Sequence, residues 1–263
     1  MKFSILNSKN VFFVAILLIS ATELAFGWGQ TGHRVVGEVA QHHLSKKAEK
    51  ALVQIFGKNQ SLAEVSNWMD NIKSDSNYRH TYDWHWVTIP DGMKYEDTEK
   101  NPKGDLIATV ERCVLVLKSD TALLISKQEA LKMLVHLIGD LHQPLHVGNG
   151  TDRGGNSKKV KWFSSSYNLH KVWDSGMIDR KDWSYTELTK VVNDATLTQI
   201  DQWKQGDVRD WAHEAMTYRT QVYNTFKKES LSYNYMYYNW DLVEQQLVKG
   251  GVRLAALLNS IYQ

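Results

Sequence analysis

Apolar residues return at every third or fourth position through most of this chain, and the residues that stop helices stay at the margins. The runs are Val35, Val36, Val39 and Ala40; Ala48, Leu52, Ile55 and Phe56; Leu62, Val65, Trp68 and Met69; Leu106, Val110, Val114 and Leu117; and Leu131, Leu134, Val135 and Ile138. Similar spacing covers residues 188–203, 208–226 and 242–261. Such a period gathers apolar side chains into one stripe along a helix. The three prolines, Pro90, Pro102 and Pro144, fall at the edges of these runs, where a missing N–H costs least. The expected fold class is therefore all-α, a mostly helical domain. Residues 90–104 and 147–159 lack the period and read as long loops, which in compact domains are commonly functional. Residues 158–163 alternate weakly and are expected to form one strand of a short β-hairpin.

Composition narrows the functional classes. With 43% hydrophobic and 23% charged residues, the chain can build a core and is not a disordered or low-complexity sequence. A net charge of +2 supplies no general field for holding nucleic acid, so any phosphate binding must be local. Lys2 and Lys9, the apolar run 11–19 and the small residues Ala25 and Gly27 read as a secretory signal at 1–27, cleaved between Gly27 and Trp28. The apolar run is short for a membrane span. Removing Lys2, Lys9 and Glu23 with that segment leaves a net charge of +1 on residues 28–263, read as one domain in a periplasmic or secreted location. The single cysteine, Cys113, allows no intrachain disulfide and is expected to pack as a small apolar residue. An exported chain without disulfides needs another staple, and bound metal is the candidate.

The densest chemistry is His136-Leu-Ile-Gly-Asp140-Leu-His142-Gln-Pro144-Leu-His146. On a helix, His136 and Asp140 project from one face a turn apart and can share a metal centre. Pro144 ends that helix, so His146 arrives from the following turn. His170 and Asp174 repeat the four-residue spacing. A lone histidine on an apolar face is usually a core residue, whereas two such pairs with His146 favour metal. Imidazole and carboxylate without thiolate suit zinc, manganese or iron, and zinc is preferred because it adds no redox chemistry. His33, Asp70 and His85 are weaker candidates singly: Asp70 competes with a helix-surface role, and His80 competes with His85. His42 and His43 read as surface residues, His80 and His213 have no evident partner, and His142 either orients a ligand or is exposed.

Together, Trp28-Gly-x-x-Gly-His33, Trp68-x-Asp70, Trp84-His85, His136-x-x-Gly-Asp140-x-x-Gln-Pro-Leu-His146, Gly154-Gly-Asn156 and Asn168-Leu-His170-x-Val-Trp-Asp174 strongly resemble the S1/P1 nuclease family. The matching motifs run from residue 28 to 174, and residues 175–263 agree in helical character. The resemblance implies a fold of the phospholipase C/P1 nuclease type and a trinuclear zinc phosphoesterase. It assigns one zinc to Asp70, His85, His136 and Asp140, and a second to His146, His170 and Asp174. The third takes His33, Asp140 as a bridge, and the α-amino nitrogen and carbonyl oxygen of Trp28, an amine that exists only after cleavage at Gly27/Trp28. Lys73 and Asn156 match family positions beside the metals, where they would neutralise or orient phosphate; Lys73 otherwise reads as a solvated lysine and 154–156 as a turn.

The implied activity is endonucleolytic cleavage of single-stranded DNA and RNA to 5′-phosphates, with 3′-nucleotidase activity, by a monomer without a membrane or a stable protein partner. Trp162, Phe163 and Tyr167 are weighed as base-stacking residues against a core role. Thr88 stands where family members usually carry an aspartate proposed to orient the attacking water, and the missing disulfides depart from fungal members. Two other readings compete. A zinc phospholipase C uses a similar terminal Trp and His/Asp spacing, but glutamate would be expected at Asp174. A periplasmic zinc-binding protein would have closed sites with no open position for water.

Overall fold

The structure, a computed structural model, describes residues 28–263; the expected leader, 1–27, lies outside them. Helix α1 (Gln30–His42) turns His33, Val35, Val36, Val39 and Ala40 inward, and α2 (Lys46–Phe56) starts where Ser45 Oγ accepts the Ala48 N–H. The expected run at 62–69 is two single turns, α3 (Leu62–Val65) and α4 (Trp68–Asn71). Ser61 and Glu64 form a capping box on α3, and Ser66 Oγ donates back to the Ala63 carbonyl, so the chain bends at Ser66–Asn67 and continues as 3-10 turns. A 3-10 helix covers Ser76–His85, followed by β1 (Val87–Thr88).

Helices α5 (Leu106–Lys118) and α6 (Leu124–Leu141) form an antiparallel hairpin. The end of α6 is buried all round, from Met133 to Leu141. After a 3-10 turn at Pro144–His146 the chain enters β2 (Val147–Gly148), which pairs parallel with β1 through Val87–Val147 and Thr88–Gly148. The expected hairpin is β3 (Lys159–Trp162) and β4 (Ser165–Asn168). Helix α7 (Leu169–Lys171) runs into a π turn at Val172–Gly176 and then α8 (Met177–Asp179). The expected run at 188–203 is divided into α9 (Tyr185–Val192) and α10 (Leu197–Trp203), because a capping box of Thr196 and Gln199 restarts the helix. Helix α11 (Val208–Thr225), the short strand β5 (Ser230–Leu231) and α12 (Tyr233–Ile261) complete the fold, β5 adding parallel to β3. The all-α expectation holds, the strands being short. None of the described helices is long and apolar enough to cross a membrane. Cys113 is buried, with its thiol pushed up to about 12 by burial.

The long helix α12 lies across α1 and α6. Its charged residues converge on Glu214 of α11. Lys249 and Arg253 both pair with that carboxylate, Tyr218 Oη donates to it at 2.7 Å, and Arg253 also donates to the Trp203 carbonyl at 2.9 Å. His142, expected to be exposed or beside the metals, belongs to this network instead. It is buried, its Nδ1–H donates to the Ile138 carbonyl at 2.7 Å, and Arg253 donates to its Nε2 at 3.1 Å.

Burial opposes the Glu214 charge, but Lys249, Tyr218 and Arg253 outweigh it and hold the carboxyl down to about 2. Its stabilisation is therefore present above the unfolded pKa near 4.5 and is lost as pH falls toward about 2. Glu214→Gln is expected to lower stability by about 3 kcal/mol at neutral pH, because two nearly buried cations lose their counter-charge. Chemical denaturation at neutral and strongly acidic pH checks this: the gap between variant and parent should close in acid, and a constant gap would contradict it.

Candidate metal centre

Six segments deliver the metal-ligand candidates to one place. α1 contributes His33, α4 Asp70, the end of the 3-10 helix His85, α6 His136 and Asp140, and the 3-10 turn His146. The sixth segment, 169–176, contributes His170 from α7 and Asp174 from the π turn. The parallel register Val87–Val147 sets the ends of two distant segments side by side, which brings His85 and His146 together. Arg219, buried on α11, clamps that pair by donating to the carbonyls of Ile89 at 2.9 Å and Val147 at 2.8 Å.

Asp140 is the hub. Its Oδ1 lies 3.3 Å from His33 Nε2 and 3.8 Å from His146 Nδ1; its Oδ2 lies 3.0 Å from His85 Nδ1 and 3.3 Å from His136 Nε2. Asp70 Oδ1 is 3.6 Å from His136 Nε2 and 3.9 Å from His85 Nδ1. At the other end, His146 Nε2 and His170 Nε2 are 3.1 Å apart and lie 3.6 and 3.3 Å from the Asp174 oxygens. The ligand atoms form three groups, each within 4.8 Å: His33, Asp70 and His136; His85, His136 and Asp140; His146, His170 and Asp174. His80, the rival of His85, lies outside, its ring packed between Tyr78 and Trp84.

The backbone aims these rings. Nδ1–H donates to the Ser66 carbonyl from His136 (2.7 Å), to the His85 carbonyl from His146 (2.6 Å) and to the Gly154 carbonyl from His170 (2.6 Å), which turns each Nε2 toward the cluster. Gln143, to which the sequence reading gave no role, donates from Nε2 to Asp174 Oδ1 at 2.6 Å. Gln143, between His142 and Pro144, is fully buried, and a buried amide needs such a partner. Asp152 was likewise unforeseen: it accepts from Tyr223 Oη and the Gly155 N–H, holding the loop whose Gly154 carbonyl receives His170. Gly154, at φ 60°, is required there, since a Cβ would lie 2.3 Å from the Leu145 carbonyl oxygen.

Two further positions meet the cluster from its edges. Trp28 is wholly buried, and the next N–H, of Gly29, donates to the Asp174 carbonyl at 2.6 Å, which pins the beginning of the described chain beside the third group. Lys73 is not a solvated lysine: its ammonium lies 2.6 Å from Asp70 Oδ1 with the side chain 5% exposed.

Electrostatics suits divalent ions. Burial resists ionisation of Asp140, yet His136 and His146 outweigh it and hold the carboxyl well below the usual range; Asp70 is lowered in the same sense by His136 and Lys73. Burial lowers His33 to about 4, aided by His136, and His85 to about 3, aided by Lys73, so both are neutral donors at physiological pH. His146 moves the other way, to about 9, because Asp140 and Asp174 overcome burial. Both ring nitrogens of His33, His85 Nε2 and Asp140 Oδ1 are buried without a hydrogen-bond partner. Orphaned atoms at this density are costly unless an ion satisfies them, and neutral imidazole with carboxylate is a divalent donor set.

Gly139 lets His33 reach its place. A Cβ there would stand 2.7 Å from His33 Nδ1, while the His33 ring stacks on His136 at 3.8 Å. Gly139→Ala is expected to displace His33 and cost about 1–3 kcal/mol by overpacking. Metal content should fall with stability, read by elemental analysis and thermal unfolding; full metal content at unchanged stability would contradict the arrangement.

A cleft of about 220 Å³ opens on the His146–His170 end, walled by Tyr82, Trp86, Thr88, Arg153, Gly154 and Asn156. Asn156 donates to the Arg153 carbonyl and accepts from Asn168, so 154–156 is both a turn and a wall of the cleft. Trp162 is buried with Nε1 bonded to Gly176, Phe163 packs against Tyr233 and Arg180, and Tyr167 lies under Lys171. None of these three lines the cleft; Tyr82 and Trp86 do, and their proximity to His85 was the available clue. Asp91 does not replace the missing acid at Thr88, because it is held by Arg219 at 2.8 Å and Asn149 at 3.4 Å. Outside the site, His42 pairs with Glu38, His43 is half-buried against Asn193, and His213 accepts the Tyr95 N–H at 3.0 Å, the partner not evident from sequence.

A family model described as S1/P1 Nuclease matches residues 28–263. The match therefore extends through the segment 175–263, where the motifs alone showed only helical character. Endonuclease 4 of Arabidopsis thaliana is 30% identical over 296 residues, covering 97% of this chain and 96% of that one. Endonuclease 2 of the same plant is 28% identical over 284 residues, covering 95% of each, and Nuclease S1 of Aspergillus oryzae is 28% identical over 283 residues, covering 94% and 96%.

Proposed function

The chain belongs to the S1/P1 nuclease family, and on that premise we propose that it is an exported, zinc-dependent phosphodiesterase. It cuts single-stranded DNA and RNA endonucleolytically, leaves 5′-phosphates, and removes the phosphate of 3′-nucleotides. The observation that carries this reading is the convergence of five histidines and three aspartates, all buried or nearly so, beside an aromatic cleft. In this reading residues 1–27 are removed, 28–263 act as a monomeric domain, and three zinc ions are held. Asp70, His85, His136 and Asp140 hold one; His146, His170 and Asp174 a second; His33, Asp140 and the Trp28 terminus a third.

Bound zinc supplies Lewis-acid chemistry, drawing charge from phosphate oxygens and making water a nucleophile near neutral pH. The chain's own residues do the rest. The carbonyls of Ser66, His85 and Gly154 keep three imidazoles aimed before substrate arrives, so little reorganisation accompanies the reaction. Lys73 offsets charge beside Asp70, and Asn156 and Arg153 offer donors to phosphate in the cleft. Tyr82 and Trp86 offer ring faces to unpaired bases, which a duplex keeps stacked inside. Thr88, neutral and able both to donate and to accept, bonds a base or a water without fixing the base's identity.

Hydrolysis of single-stranded DNA, duplex DNA, a 3′-nucleotide and a choline phospholipid by the zinc-loaded protein tests the reading. Turnover of the first and third with little of the second supports it. Phospholipid cleavage in their place would favour a phospholipase, and no hydrolysis at all would favour a metal-binding protein.

A further inference from the structure

We propose that the 3-10 helix Ser76–His85 is a rail that leads single-stranded nucleic acid away from the metal centre, with Arg79 and Lys103 holding phosphates beyond the scissile bond. The proposal rests on the nuclease reading of the site. A 3-10 helix has three residues per turn and rises about 2 Å per residue, so residues three apart stand in a row about 6 Å apart. Arg79, Tyr82 and His85 form such a row. His85 ends it inside the cluster, and Tyr82 lies between, lining both the cleft beside His146 and a second, more open groove of about 690 Å³. The two depressions therefore adjoin at Tyr82.

That groove has the chemistry of a strand-binding surface. Lys73, Arg79 and Lys103 line it against one acid, Asp83. Arg79 is exposed and has no carboxylate partner among the described residues, while Lys103 is 76% exposed and touches Asp83 only at 3.7 Å. The rings are fixed in place: Tyr78 Oη donates to Glu129 at 2.7 Å, Trp84 Nε1 donates to the Lys103 carbonyl at 2.7 Å, and His80 packs edge-on to Trp84 with centroids 5.1 Å apart. Ring faces interleaved with cations suit a single strand of any sequence, because every base has a π-face and every nucleotide a phosphate. A groove that adjoins the catalytic cleft at Tyr82 commits the occupant to the substrate strand itself. With a net charge near zero over the whole chain, such local cations are the means of holding a polymer.

The test compares a long oligothymidylate with the thymidine dinucleotide, which occupies the cleft alone, using zinc-loaded enzyme. Arg79→Ala combined with Lys103→Ala is expected to lower kcat/KM on the oligomer about tenfold, mainly through KM. The salt dependence should become shallower by about one unit of slope per cation removed. Dinucleotide turnover should stay unchanged, and Arg79→Lys with Lys103 intact should keep most of the oligomer rate. Equal losses on both substrates, or an unchanged oligomer rate and salt slope, would overturn the rail while leaving the nuclease reading standing. A wild-type enzyme inert on both substrates would overturn the nuclease reading and the rail together.

Discussion

Asp140→Asn should reduce hydrolysis of single-stranded DNA on the order of a thousandfold, more than the same change at Asp70 or Asp174. The expectation follows from position. Asp140 faces four histidines, with Oδ1 toward His33 and His146 and Oδ2 toward His85 and His136, whereas Asp174 faces only His146 and His170. Loss of a residue that merely orients a ligand typically costs 10–100-fold in metal affinity or activity, so loss of a carboxylate that serves two ions, as proposed for Asp140, should exceed that range. Asparagine keeps the shape and removes one negative charge from a fully buried site, leaving the fold recognisable by circular dichroism. Steady-state kinetics on all three variants decides the order. Near-wild-type turnover in Asp140→Asn would remove the bridging assignment.

A chain that retains residues ahead of Trp28 should fold but lose one metal equivalent and about a hundredfold in activity, consistent with the loss of a contributing ligand. Trp28 is fully buried, and Gly29 is fastened to the Asp174 carbonyl and packed against Ser175, where a Cβ would come within 2.8 Å. An added residue therefore cannot be relieved by sliding the chain. It converts the terminal amine into an amide, whose nitrogen is a poor metal donor. Elemental analysis and kinetics on a chain beginning at Trp28, and on one extended by a single glycine, check this. Equal metal content and equal rates would mean that the terminus takes no part.

How much of this was legible in the sequence depends on how far each partner lies along the chain. Local signals carried α6 through its apolar spacing, and α5 and α11, whose apolar stripes and acidic caps at Asp105 and Asp207 stand next to each other in sequence. The runs at 62–69 and 188–203 look continuous in sequence because their apolar spacing survives interruptions made by hydroxyl side chains, Ser66 bonding back to the Ala63 carbonyl and Thr196 capping a new helix. The pair His136 and Asp140 was legible from spacing alone. His33, Asp70 and His85 were legible only through the family pattern, since nothing local distinguishes them from core or surface residues. His170 and Asp174 were expected on one ordinary helix, and the π turn that carries Asp174 left no mark in the periodicity. The carbonyls of Ser66, His85 and Gly154 could not be foreseen, because a backbone oxygen has no letter of its own. His142 was misplaced for a related reason: its partner Arg253 stands 111 positions away.

The central claim is that this buried cluster is a metal centre that hydrolyses single-stranded nucleic acid. The most direct measurement is a zinc titration of chelator-stripped protein, following single-stranded DNA hydrolysis as a function of zinc bound per chain. The expected result is negligible activity in the stripped protein and full recovery only as about three equivalents bind. Undiminished hydrolysis after stripping, or stoichiometric zinc uptake without any hydrolysis, would contradict it.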